Sequence, residues 1–173
     1  MDKFFIDFQI LSAGRAVEQD VHSLIAMDLI NYSFTGTLRI AHGSKTMNLV
    51  RTQLVEAFLT IRKVLETVPL LEDAAPFGHA MGGGRTMFSI VGNQLQISHK
   101  DSRELSDEIG DHEIIGDYVS FCLAFRRAAK EFLSAIDKSC PQLFSNDTVR
   151  RDLKNLYQFK FHFEDVEKIF SVL

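Results

Sequence analysis

Apolar and polar side chains alternate along residues 30–40. The apolar positions are Ile30, Tyr32, Phe34, Leu38 and Ile40, and the polar ones are Asn31, Ser33, Thr35, Thr37 and Arg39. In an extended chain a period of two puts each set on its own face, so the pattern predicts a strand over 28–41 with one buried face. Gly36 inside it indicates a bulge or a close backbone approach. A similar alternation predicts an earlier strand over 3–11.

Two longer stretches have the three-to-four-residue spacing of amphipathic helices. The first is predicted over 47–66, before Pro69, and its apolar stripe comprises Met47, Val50, Leu54, Phe58, Ile61 and Leu65. The second is predicted over 117–138, with Asp117 as N-cap. Its stripe comprises Tyr118, Phe121, Phe125, Ala128, Phe132 and Ile136. Both stripes are wide enough to cover a sheet, so Phe58 and Phe125 are expected in the core.

A tight β-hairpin is predicted between the two helices, turning at Gly92-Asn93. A two-residue turn places the flanking apolar residues in facing pairs, Ile90 with Leu95 and Phe88 with Ile97. The preceding stretch 70–84, which holds three consecutive glycines, is expected to be a loop.

Period-two strands together with two core-facing helices predict an α+β fold, a mainly antiparallel twisted sheet packed against two long helices. A chain of 173 residues fits a single domain. Residues 1–139 are expected to form its sheet-and-helix core. Residues 140–173 are expected to form a C-terminal helical extension packed on that core, with a helix over 146–158.

The composition is that of a globular protein in solution, with 46% hydrophobic and 24% charged residues. The net charge of −4 disfavours nucleic-acid binding and permits a basic partner. The chain start has no secretory pattern, and no apolar run approaches the roughly 18 residues of a membrane span. A cytoplasmic protein without a membrane partner is therefore expected, and its two cysteines, Cys122 and Cys140, are expected to be reduced.

The most unusual local composition is an acidic segment over 101–117. Its seven carboxylates are Asp101, Glu104, Asp107, Glu108, Asp111, Glu113 and Asp117, and Arg103 is its only Lys or Arg. Clustered like charge raises the local potential and steers basic partners. The segment is either a solvated linker between a strand and a helix or a partner-binding surface. A calcium loop is not favoured, because the EF-hand spacing is missing.

No other cluster predicts chemistry, so no catalytic residue, metal site or cofactor is expected. His79, His99 and His112 lack zinc-motif spacing and are expected to be isolated surface or turn residues. The glycines 82–84 precede a strand rather than a helix, which favours a connector over a phosphate loop. Two basic clusters are expected to be solvated helix faces: Arg126, Arg127 and Lys130, and Arg150, Arg151 and Lys154.

Four segments carry a resemblance to a known class. They are the strand Tyr32–Ile40, the helix Leu54–Leu65, the hairpin strand Leu95–Ser98 and the helix Phe121–Leu133. In element order and hydrophobic spacing, residues 28–136 resemble small α+β bacterial immunity proteins of polymorphic-toxin and contact-dependent growth-inhibition systems. The resemblance implies a cytoplasmic protein that binds a cognate toxin domain and blocks its active site. Many such toxins are basic nucleases, which would suit the acidic segment.

Two other classes of function stay open. One is an enzyme or small-ligand domain whose site is assembled only in three dimensions. The other is a regulatory homodimer joined through the C-terminal segment. The toxin's identity and activity, the oligomeric state and the role of the glycine loop are left undecided by the sequence.

Overall fold

The computed structural model describes residues 2–13, 34–70, 75–78, 84–91, 94–100, 110–145 and 147–158. These residues have the α+β class that the sequence predicts. The strands are β1 Phe4–Ser12, β2 Thr35–His42, β3 Lys45–Gln53, β4 Ala75–Gly78, β5 Arg85–Val91, β6 Gln94–Lys100 and β7 Glu113–Asp117. The α-helices are α1 Leu54–Thr67, α2 Tyr118–Ser139 and α3 Asp147–Lys154, and short 3-10 turns cover Val68–Leu70 and Pro141–Ser145.

The strands form two antiparallel sheets rather than one, in the orders β1-β2-β3 and β4-β5-β6-β7. The predicted hairpin register is confirmed, because Ile90 faces Leu95 and Phe88 faces Ile97. β1 and α2 lie within a residue of their predicted bounds, and Asp117 caps α2 as predicted. Of the strand predicted over 28–41, β2 confirms the second half, and residues 28–33 lie outside the described residues.

The helix predicted from residue 47 is wrong at its start, because residues 45–53 form strand β3. Met47 and Leu49 pair with Ile40 and Leu38 of β2 across a turn at Gly43. The short apolar run 47–54 fits both the alternation of a strand and the spacing of a helix. Residues 45–53 form a strand because they pair with β2 in a hairpin. The helix α1 then begins at Leu54, whose N–H donates to the carbonyl oxygen of Phe34 at 2.7 Å.

A β-bulge lets β3 pass directly into α1. Between Leu49 and Thr52, β3 has one residue more than the facing stretch of β2, and Arg51 there has a φ of 51°. The Thr52 hydroxyl donates to the carbonyl oxygen of Leu49 at 2.8 Å. Gly36 faces this bulge, and a Cβ there would lie 2.0 Å from the carbonyl oxygen of Gln9. The close approach predicted at Gly36 is thus confirmed.

The loop predicted over 70–84 contains the short strand β4. β4 lies at an edge of its sheet and pairs with β5, with Pro76 opposite Met87. Proline is tolerated on edge strands, where its missing N–H can face away from the ladder. The proline and glycine of this segment therefore concealed a strand from sequence analysis.

Helix α2 packs against both sheets through its phenylalanines. The Phe121 ring lies 5.0 Å from Phe4 of the first sheet and 6.0 Å from Phe88 of the second, measured between ring centroids. Further along, Phe132 stacks on Phe58 of α1 at 4.8 Å. Phe125 lies 5.5 Å from Phe58, and both are fully buried as predicted.

A second joint fastens the two sheets to each other directly. The N–H of Thr46 in β3 donates to the Asp111 carboxylate at 2.7 Å, and the N–H of Asp111 donates to the Thr46 carbonyl oxygen at 2.8 Å. Met47 and Gly110 form a bridge beside them. Gly110 has a φ of 82° and leaves no room for a Cβ, which would lie 2.6 Å from the Thr46 carbonyl oxygen.

The two long helices are tied end to end by one hydrogen bond. The Tyr118 hydroxyl, at the start of α2, donates to the Leu65 carbonyl oxygen in the last turn of α1 at 2.5 Å. In an uninterrupted helix that oxygen would accept from the N–H of residue 69. Residue 69 is a proline and has no N–H. Tyr118 therefore supplies the donor that Pro69 removes.

The C-terminal part that the structure describes packs on the same core. Leu143 from the 3-10 turn and Val149 and Leu153 from α3 are all buried, as is Leu156. The helix predicted over 146–158 is observed over Asp147–Lys154. Residues 159–173 of the predicted extension lie outside the described residues.

Truncating either central phenylalanine should strongly destabilise the protein. Phe58→Ala and Phe125→Ala each remove a fully buried ring from the contact between α1 and α2 and are expected to cost about 3–5 kcal/mol in the free energy of unfolding. Urea denaturation measures this cost. Leu70→Ala is the matched control, because Leu70 is 60% exposed. Wild-type unfolding midpoints for both phenylalanine variants would contradict the core described here.

The Tyr118–Leu65 hydrogen bond can be tested with a double-mutant cycle. Tyr118→Phe is expected to cost about 1–2 kcal/mol, because it leaves a buried carbonyl without a donor. In a Pro69→Ala background residue 69 regains its N–H, so the same substitution should cost less. Chemical denaturation of the four proteins gives the coupling energy, and an equal cost in both backgrounds would refute the compensation.

Candidate functional site

The acidic segment is partly built into the fold. The sequence allows either a solvated linker or a partner-binding surface over 101–117, and in the structure residues 113–117 of this segment form strand β7. The Asp111 carboxylate accepts the hydrogen bond from the Thr46 N–H that joins the two sheets. Asp117 accepts from the Ser120 N–H at 2.6 Å and caps α2. The other predicted partner-binding residues Asp101, Glu104, Asp107 and Glu108 lie outside the described residues.

Strand β7 turns two of these carboxylates to the same outer face. Glu113, Ile115 and Asp117 are exposed, and Ile114 and Gly116 between them are buried, as alternation along a strand requires. Ile115 keeps 36% of its surface exposed. The strand packs closely against the first sheet, because a Cβ on Gly116 would lie 2.5 Å from the Phe4 ring. The result is an exposed isoleucine between two carboxylates on one strand.

The neighbouring strand extends this face with uncharged polar groups. Gln94, Gln96 and Ser98 of β6 pair with Asp117, Ile115 and Glu113 respectively, and paired residues share one face. The Gln96 side-chain amide donates to the Glu113 carboxylate, which fixes that carboxylate's position. We call these six residues the outer β6–β7 face.

A cleft of about 510 Å³ opens where α2 begins. Its walls are the start of β1, the end of β2, the start of β6, the end of β7 and the first turns of α2. Phe4, Val119, Leu123 and Ala124 supply apolar surface, and Lys3, His42 and Arg127 supply cationic or titratable groups. Asp2 and Asp117 also line it. This size falls within the range of about 300–1,000 Å³ typical of small-molecule sites.

His99 corrects one sequence-based prediction. It was expected at the surface or in a turn, but it lies in β6 with only 4% of its surface exposed. Its Nδ1 lies 2.9 Å from the Thr86 hydroxyl across the β5–β6 pair, and Gly84 packs against its ring. The signal was present, because His99 continues the buried alternation of Leu95 and Ile97. His112 is exposed as predicted, and His79 lies outside the described residues.

The two basic clusters lie on exposed helix faces, as predicted. In α3 the cations pair locally, Arg150 with Asp147 at 2.6 Å and Arg151 with Asp152 at 3.3 Å. In α2 the partners are aromatic. The Arg127 guanidinium lies 5.5 Å above the Phe5 ring, and the Lys130 ammonium lies 5.5 Å from the Tyr157 ring.

Both cysteines are buried, free thiols, in agreement with the sequence analysis. Burial raises the pKa of Cys122 to about 12, and a hydrogen bond with Tyr118 only partly offsets it. Burial also raises the pKa of Tyr118, with the neighbouring Cys122 as a second cause, and it raises the pKa of Cys140. Because a thiolate is the nucleophilic form, Cys122 is chemically inert near neutral pH.

Comparisons with protein-family models, with curated proteins and with solved structures return no match. Within the described ranges, no three His, Cys, Asp or Glu side chains are grouped so that they could hold a metal ion. None of the helices in that part of the chain is long and apolar enough to cross a bilayer.

Alkaline pH should destabilise the fold through Cys122. Its pKa is about 12 in the folded protein and near 9 when unperturbed, so the stabilisation is complete below pH 9 and is lost as the pH rises toward 12. The free energy of unfolding should fall by about 1 kcal/mol between pH 8 and 10 from this group. Denaturation at several pH values measures it. The free energy of unfolding of Cys122→Ala should fall less over that pH interval. An equal fall in the variant and the wild type would contradict the assignment of this effect to Cys122.

Proposed function

We propose that this protein is a cytoplasmic immunity protein that binds a basic cognate toxin domain, such as a nuclease, and blocks its active site. The observation that carries the proposal is the outer β6–β7 face, where Glu113 and Asp117 flank the exposed Ile115. It adds to the resemblance in element order described above. An inhibitor of this kind needs a preformed surface rather than a catalytic group.

The chemistry of this face suits a protein partner. Protein interfaces combine an apolar centre with a polar rim. On this face Ile115 is the apolar centre, and the surrounding carboxylates and amides are the polar rim. Glu113 accepts a hydrogen bond from Gln96, and Asp117 accepts one from Ser120. These bonds restrict the two side chains before a partner arrives, which lowers the entropy cost of accepting hydrogen bonds from its lysine or arginine residues. The net charge of −4 would further favour encounter with a basic domain.

Blocking an active site follows from the same electrostatics. A nuclease binds a polyanion, so its substrate groove carries lysine and arginine side chains. A face of carboxylates would compete for those cations, and four more acidic residues lie close to it in the sequence, at 101–108. Asp111 is excluded from this role, because its carboxylate holds Thr46.

The first step of the test is affinity purification from the native bacterium, which should yield one basic protein in a one-to-one complex. The double variant Glu113→Gln/Asp117→Asn then removes two charges while Asn keeps the α2 cap. It should slow association with that partner about tenfold at low salt and make the rate less salt-dependent. Stopped-flow or surface plasmon resonance kinetics measure both effects.

The control is Glu131→Gln/Asp137→Asn on α2, which makes the same change in net charge at exposed positions outside the face. It should leave the association rate close to that of the wild type. Equal effects of the two double variants, with normal melting curves, would remove the face from the interface. Absence of any stoichiometric partner, or a partner whose activity is unchanged in the complex, would refute the immunity function itself.

A further inference from the structure

We infer that the cleft at the start of α2 is a binding site for a small carboxylate with an apolar body. The inference is independent of the proposed function, because it depends on the apolar wall of the cleft and on the cations Lys3 and Arg127. The cleft shares Gln94 and Asp117 with the outer β6–β7 face, and the inference requires neither of them.

The apolar part of the cleft is ready to receive an alkyl or aryl group. Leu123 is 55% exposed, although it lies on the helix that carries the central phenylalanines of the core. It lines the cleft together with Val119 and Ala124 of the same helix, and the Phe4 ring closes the inner end. A ligand that covers Leu123 would remove apolar surface from water, which is the main favourable term in such binding.

The charges of the cleft favour an anionic head group. Lys3 and Arg127 both line it, and within the described residues neither forms an ion pair. The Phe5 ring lies under the Arg127 guanidinium and limits its freedom, so a carboxylate would find this cation partly preorganised. Arginine also offers two parallel N–H donors that match a carboxylate.

Two carboxylates and a histidine also line the cleft, and Asp117 is bonded to the protein's own backbone. The Asp117 carboxylate accepts a hydrogen bond from the Ser120 N–H at the N-terminus of α2. The Asp2 carboxylate lies against Gly43, where a Cβ would be 2.9 Å from its oxygen. His42 is oriented by the Asp2 carbonyl oxygen at 3.2 Å. The groups that the proposed ligand would contact are Lys3, Arg127 and the apolar wall.

Matched eight-carbon probes separate the contribution of the charged head group to binding from that of the apolar body. Isothermal titration with octanoate, octanol and octylammonium should give tightest binding for octanoate and at least tenfold weaker binding for octylammonium. Arg127→Gln should reduce octanoate binding to the level of octanol. Leu123→Ser should weaken all three probes. Octanoate and octylammonium binding equally, or octanoate not binding, would overturn the inference.

Arg126→Gln is the matched control, since Arg126 is the exposed neighbour of Arg127 on α2 and does not line the cleft. It should leave octanoate binding unchanged, and a loss equal to that of Arg127→Gln would refute the assigned position.

A short peptide ending in leucine, with a free or an amidated carboxyl group, identifies the source of the carboxylate. Tighter binding of the free-acid peptide than of octanoate would assign the cleft to a chain terminus, and the reverse would assign it to a free acid.

Discussion

The phenylalanines of α2 are the contact on which the whole arrangement depends, because two small sheets must share one core. Phe121 touches Phe4 of the first sheet and Phe88 of the second, so neither sheet can move without exposing that ring. Each of the two sheets has an apolar face that another element must cover. Packing both on one helix makes them a single cooperative unit. The position of that helix then fixes everything attached to its N-terminus, including β7 and the cleft.

The acidic segment has a double use that its composition did not reveal. Asp111 and Asp117 perform structural tasks, the first joining the sheets at Thr46 and the second capping α2. Each accepts a backbone hydrogen bond, which is a favourable environment for an ionised carboxylate. Glu113 has no such backbone task and is the most available charge of the three. A count of seven carboxylates therefore overstates how many can meet a partner, and their individual hydrogen bonds decide which of them can.

Sequence patterns predicted most of this fold because local signals and tertiary context agree over much of the chain. The hairpin at Phe88–Ile97 and helix α2 have both a clear periodicity and matching turn or cap residues. The failures are where a pattern was ambiguous or concealed. Residues 47–53 fit both periods, and only pairing with β2 separates them. β4 contains a proline that an edge position tolerates. The cleft could not be predicted, because it joins residues from β1, β2 and α2 that are distant in sequence.

The outer β6–β7 face and the cleft meet at one end of β7, because Gln94 and Asp117 belong to the face and also line the cleft. Alternation along β7 sends Glu113 and Ile115 outward, whereas Gly116 turns inward beside Phe4 and His42 at the wall of the cleft. A larger residue in place of Gly116 would collide with the Phe4 ring and push β7 away from the first sheet. The missing side chain of Gly116 thus lets β7 pack closely against Phe4 and leaves one wall of the cleft open. Because Asp117 borders both places, a ligand in the cleft and a partner on the face would act on the same carboxylate. Because Gln94 is shared as well, occupation of either place would alter contacts of the other directly.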